Sequence, residues 1–177
     1  YDGNPVVMLE HKGLYWGKVP GTDEAKTPEP SADYILPLGK GRIVLQANPA
    51  DIKRGNSCVI ITYGMGVYWA KAAAKQLPGC IEVIDLRTLY PLDEALIFDR
   101  VKVHGKCMVL TEEQQMNSFA EALAGRISMT CFSNLDAPVD VMGSKNVPAI
   151  PMNNGLERAV LPDPEQLVAR LKKLLES

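Results

Sequence analysis

Apolar and polar positions fall into blocks along this chain, and from residue 35 onward the blocks repeat in a strand–helix order. Residues 42–46, Arg-Ile-Val-Leu-Gln, predict a first strand, and the polar stretch 48–56 separates it from a second. That second run, Cys58-Val-Ile-Ile-Thr-Tyr63, is apolar at successive positions, as a strand covered on both faces requires. It leads through Gly64 to a helix over 67–77, expected to set Trp69, Ala72, Ala73, Gln76 and Leu77 on one side before Pro78-Gly79 stops it. Residues 81–86 predict the next strand. Pro91 forbids its continuation, and Asp93 is placed to cap a helix over 94–103 that ends at His104-Gly105.

A further strand is predicted over 106–111. Ser118-Phe-Ala-Glu121 has capping-box spacing and opens a helix reaching 129, with Phe119, Ala120, Leu123, Ala124 and Ile127 as its apolar stripe. Residues 139–142 predict the last strand. Asn146-Val-Pro-Ala-Ile-Pro151 is bracketed by prolines and excluded from helix. Asp163-Pro-Glu-Gln166 is a strong helix start, with Leu167, Val168, Leu171, Leu174 and Leu175 at helical spacing and Arg170, Lys172 and Lys173 toward solvent. Strands alternating with helices imply an α/β protein, a three-layer α/β/α sandwich around a mostly parallel five-stranded sheet.

The N-terminal third breaks this rhythm. Val6-Val-Met-Leu9 predicts a short strand finishing some preceding domain. Residues 17–33, with Pro20, Pro28 and Pro30, predict an extended arm with little to bury. The chain opens on Tyr1 without an initiator Met, and it reads as a piece of a longer protein. No signal-peptide pattern opens it.

Composition narrows the function classes. At 177 residues, 46% hydrophobic and 23% charged, the chain suits one globular domain with an arm. A net charge of −2 and a pI near 5.7, without a basic cluster, argue against a nucleic-acid surface. No apolar run approaches the ~20 residues that span a bilayer. Cys58, Cys80, Cys107 and Cys131 are far apart, with no C-x-x-C, and read as buried free thiols in a reducing cytoplasm.

Candidate chemistry is sparse. Tyr63-Gly-Met-Gly66 sits where a strand becomes a helix, a place suited to phosphate, but Trp69 breaks the dinucleotide fingerprint. It reads as a tight turn. Glu112-Glu113 follows a strand, and adjacent residues on extended backbone point apart, so a helix-entry or interface role is expected rather than a paired acid and base. Only His11 and His104 are present, too few for a histidine-based hydrolase or metal site. His104 fits a helix C-terminus.

Ile-Asp-Leu-Arg-Thr88 followed by Pro91-Leu-Asp93 resembles the beta subunit of thiamine-diphosphate-dependent 2-oxoacid dehydrogenases, in their transketolase C-terminal-like domain. Asn4-Pro-Val-Val-Met-Leu-Glu-His-Lys-Gly-Leu-Tyr15, Leu36-Pro-Leu-Gly-Lys40, Ile60–Gly64, Leu135-Asp-Ala-Pro138 and Glu157–Pro162 extend the resemblance over nearly the whole chain. It implies a pyrimidine-binding-domain tail over 1–16, a linker over 17–37 and a C-terminal domain over 38–177, with one antiparallel strand. Gln114-Gln-Met-Asn-Ser-Phe119 departs from the glycine-rich turn usual after the family's Glu. The resemblance further implies oxidative decarboxylation of a 2-oxo acid, 2-oxoisovalerate before pyruvate, with acyl transfer to lipoamide. Thiamine diphosphate and Mg²⁺ would be held outside this chain, so no catalytic, cofactor-binding or metal residue is expected within it. Its partners would be the alpha part, a second beta part and the subunit-binding domain of the dihydrolipoyl acyltransferase. Candidates for that docking are Glu157, Asp163, Glu165, Glu176 and the end at Ser177, each of which also fits a solvated helix face or a cap. Two alternatives stand beside this: the C-terminal domain of a transketolase or 1-deoxyxylulose-5-phosphate synthase, and a stand-alone protein-binding module.

Overall fold

The computed structural model describes residues 3–17 and 19–177, which divide into two units, Tyr1–Ile35 and Leu36–Ser177. In the first unit, helix α1 (Lys12–Tyr15) is capped by His11, whose Nδ1 accepts from the Leu14 N–H at 3.3 Å. Tyr15 and Trp16 stack edge to face, and a 3₁₀ turn spans Asp23–Ala25. The strand expected at Val6–Leu9 does not form. The segment is extended and solvent-exposed, because a strand exists only where a neighbour takes its backbone hydrogen bonds, and no ladder partner is recorded for it among the described residues.

The second unit carries β1 (Arg42–Leu45), α2 (Pro49–Lys53), β2 (Cys58–Thr62), α3 (Met65–Ala74), β3 (Ile81–Asp85), α4 (Glu94–His104), β4 (Cys107–Gln114), α5 (Phe119–Cys131), β5 (Asp140–Ser144), α6 (Asn154–Val160) and α7 (Pro164–Glu176). The sheet order is β1-β3-β2-β4-β5, with β1 antiparallel to β3 and the other pairings parallel. Successive residues of β2 face opposite sides: Cys58 and Ile60 pack with α3 and α7, Val59 and Ile61 with α4 and α5. Covered on both faces, all five β2 residues are buried, which explains their unbroken apolar run. This is the three-layer α/β/α sandwich that the alternating pattern predicts.

Local signals settle most helix ends. Asp93, Ser118 and Asp163 each accept a first-turn N–H, and Gly105 closes α4 at φ 67, in the left-handed region. The capping box is half made, since Glu121 accepts from Asn117 N–H rather than from Ser118. Four expectations shift. Helix α3 begins at Met65, so its buried face is Met65, Gly66, Val67, Ala70, Ala73 and Ala74, whereas Ala72 and Gln76 are exposed. Strand β4 runs to Gln114 because β5 keeps pairing with it, Gln114 opposite Ser144. Arg170 turns inward to Asp140, and the short helices α2 and α6 form where no element was predicted. The cysteines are free; Cys58, Cys107 and Cys131 are buried and Cys80 is half-buried.

Candidate functional site

The C-terminal ends of β2 and β4 flank the point where chain order reverses across the sheet, the position at which open α/β sheets form a crevice. Here it is filled by a polar relay. The Tyr63 hydroxyl lies 2.9 Å from Thr111 Oγ1 and donates to Glu113 Oε1 at 3.2 Å, and that same oxygen accepts from Ala120 N–H at 3.4 Å. Glu113 therefore serves the entry of α5, the role its place in the sequence suggests. Burial, with the Glu113 charge behind it, pushes the Tyr63 phenol up from its ordinary value. The Tyr63–Gly66 corner is a close-packed turn. Gly66 stands against Thr62, and a Cβ there would collide with the threonine hydroxyl.

Beside this relay, at the free end of β5, a cleft of about 360 Å³ opens between the sheet and the α6–α7 junction. Gln115, Lys145, Asn146, Gln166 and Arg170 supply its polar wall, and Met142 with Val160 its apolar one. Gly143 is obligatory behind it, because a Cβ would come within 2.7 Å of the Glu113 carbonyl oxygen.

The docking candidates fall into two groups. Glu157 lies half-buried on α6, Asp163 caps α7 by accepting from Gln166 N–H at 2.9 Å, and Glu165 is exposed in the first turn. Glu176 and Ser177 sit at the opposite end of α7, exposed, about 18 Å away along a 13-residue helix. That far end is anchored by Lys106, a buried residue whose Nζ donates to Leu175 O at 2.7 Å and Gly55 O at 3.2 Å.

Sequence reasoning missed the densest polar cluster, at the N-terminal edge of the sheet. Arg100 grips Glu82 through Nε at 2.6 Å and Nη2 at 2.9 Å, His104 Nδ1 lies 2.8 Å from Ser57 Oγ, and His104 Nε2 approaches Glu82 at 3.4 Å. His104 is the last residue of α4, as expected from its place before Gly105, and its fully buried side chain makes this contact as well. Burial alone would raise the Glu82 carboxyl, but His104 and Arg100 outweigh it and hold the group below the usual carboxylate range. A Ser–His–Glu set so sealed has no room for a substrate and works as a polar staple joining β2, β3 and α4. The only sequence signal was a lone glutamate inside an apolar strand, eighteen residues before an arginine.

Among the described residues no three His, Cys, Asp or Glu side chains converge to hold a metal ion, and the Glu113 carboxylate is already committed. No described helix is long and apolar enough to cross a membrane.

Comparison with known proteins supplies the relatives. The sequence is 34% identical to the 2-oxoisovalerate dehydrogenase subunit beta of Bacillus subtilis (strain 168), over 99% of this chain and 50% of that protein. It is 31% identical to the pyruvate dehydrogenase E1 component subunit beta of Rhizobium meliloti (strain 1021), over 97% of this chain and 34% of that protein. The chain thus spans half or less of the length of these two relatives. Among solved structures, a split-gene transketolase, described as an inactive beta4 tetramer, superposes with a TM-score of 0.63 at 20% identity, over 84% of this chain and 46% of that one. The model of the transketolase C-terminal domain matches residues 50–167, which take in every strand but the first, and to that family this chain belongs.

Proposed function

We propose that the chain is the C-terminal part of the decarboxylating component of a 2-oxoacid dehydrogenase complex, and that its own work is assembly and docking. The parent reaction is oxidative decarboxylation of a 2-oxo acid, 2-oxoisovalerate by preference, with the acyl group passed to lipoamide. Residues 1–16 are the tail of a pyrimidine-binding domain, 17–37 a linker and 38–177 the C-terminal domain. The observation that carries this reading is the 34% identity to a 2-oxoisovalerate dehydrogenase beta subunit along 99% of the chain.

Thiamine diphosphate and Mg²⁺ belong, in this reading, to parts of the parent outside these residues, in the cytoplasm. An alpha part and a second beta part complete the enzyme, and the acyltransferase subunit-binding domain docks on the acidic residues of α6 and α7. The separation of Glu157, Asp163 and Glu165 from Glu176 and Ser177 makes the docking idea divisible. Titration of the chain with an isolated subunit-binding domain should show affinity that falls with salt. Glu165→Gln and Glu176→Gln, measured separately, should identify the end used by an affinity loss of about tenfold in one and none in the other. Salt-insensitive binding untouched by both changes would refute docking on these carboxylates. Release of CO₂ from 2-oxoisovalerate by the chain alone, with thiamine diphosphate and Mg²⁺ added, would refute the division of labour.

A further inference from the structure

We propose that the edge where β1, β3 and β2 meet the first turn of α3 is a binding site for a small oxyanion, a phosphate or small-molecule carboxylate group, with Arg87 as its principal cation. The inference is independent of the proposed function. In the strand registers Arg42 stands opposite Asp85, and Asp85 opposite Thr62, so the three form one row across the sheet. Arg87 follows two residues on, Lys71 projects from α3, and both cations act with Arg42 on the single Asp85 carboxylate. Three cations therefore act on one carboxylate at this edge.

Two side chains there have unmet hydrogen-bonding capacity. Thr62 is fully buried and its hydroxyl has no partner; it lies against Gly66, in the first turn of α3. Arg87 Nε is buried and also lacks one. Among the described residues the one other such atom is His104 Nε2, which has Glu82 beside it. Buried polar atoms are almost always satisfied, so two orphans at one edge call for a further partner. Helix α3 contributes its positive end. Its first residue follows Gly64, at φ 57 with no side-chain cap and open space where a Cβ would stand.

The backbone at Arg87 adds to the case. Its φ of 58 lies in the left-handed region, which an L-residue occupies at a disadvantage relative to glycine. The turn keeps that conformation with the Arg87 N–H donating to Asp85 Oδ1 at 3.2 Å, which holds the Arg87 backbone beside the row. A guanidinium, a hydroxyl and a helix N-terminus are the donor types that take phosphate and carboxylate oxygens. Asp85 opposes such a ligand electrostatically and sets the affinity low.

Calorimetric titration of the full chain with inorganic phosphate, and separately with acetate, at constant ionic strength decides the matter. Saturable phosphate binding near ~1 mM is expected. Acetate competing with phosphate assigns the site to carboxylates as well; acetate without effect assigns it to phosphate groups. Arg87→Gly suits the backbone, so it should fold with unchanged or higher Tm while weakening binding at least tenfold. Thr62→Val should weaken it severalfold and Asp85→Asn strengthen it severalfold. Absence of saturable heat with both anions, or an Arg87→Gly variant that binds like the parent chain, overturns the proposal.

Discussion

Replacing Arg100 by methionine isolates the energetics of the buried staple. The methionine keeps the aliphatic stem and removes two hydrogen bonds of 2.6 and 2.9 Å to Glu82, whose side chain is 2% exposed. Breaking a buried pair from one side costs ~3–5 kcal/mol, because the remaining charge is left without its partner. The Arg100 side chain retains 20% exposure, so the low end, about 3 kcal/mol, is expected. For a unit of this size that corresponds to a fall in Tm of about 6–12 °C.

The pH dependence carries the sharper test. In the parent chain Glu82 titrates below its unfolded value, so its contribution is full above pH ~4.3 and is lost as pH falls through the lowered folded value. Without Arg100, only His104 opposes burial, so the carboxyl titrates higher than it does in the parent chain. The folded variant then gains less stability than the parent chain as its carboxylate ionises with rising pH. The gap between the two proteins must therefore widen from pH ~3 to pH ~6 in urea unfolding curves. Adding Glu82→Met to Arg100→Met should recover at least half of the loss, since an apolar pair leaves no unpartnered charge there. A gap that stays flat with pH, or a loss below ~0.5 kcal/mol, would refute the account of Glu82 as a buried anion held by Arg100.

Further expectations rest on single contacts. Gly143→Ala drives a methyl to within 2.7 Å of a backbone oxygen that cannot swing away and should cost ~1–3 kcal/mol in urea unfolding. Gly125→Ala, in the middle of α5 with open space around it, should stabilise by up to ~1 kcal/mol and serves as its control. Lys106→Met removes the bond to Leu175 O at the end of α7 together with the one to Gly55 O, so hydrogen exchange of the last-turn amides should quicken by about tenfold, matching a loss of ~1–2 kcal/mol; unchanged exchange would show that the helix end needs no anchor.

Much of the architecture was legible because its signals are local. The unbroken apolar run of β2 announced a strand covered on both faces, and Asp93, Ser118, Gly105 and Asp163 marked helix ends by their own side-chain or backbone chemistry. Helix α3 was started two residues late and its buried face set about one position off, because Ala70, Ala72, Ala73 and Ala74 look alike in sequence, and only the sheet chooses which of them it buries. Val6–Leu9 has a strand's composition, yet a strand is a property of two segments, and composition names only one.

The sequence alone determined the layer order, the resemblance carried by Ile84–Thr88 with Pro91-Leu-Asp93, and the dispersed cysteines that rule out a metal cluster of close spacing. Tertiary structure decided which polar residues meet. Ser57 precedes β2, Glu82 lies on β3 and Arg100 and His104 on α4, while Arg42, Thr62 and Asp85 lie on three different strands, so no spacing rule brings either set together. Their proximity follows from strand register and helix docking, and these are set by the burial of residues elsewhere in the chain.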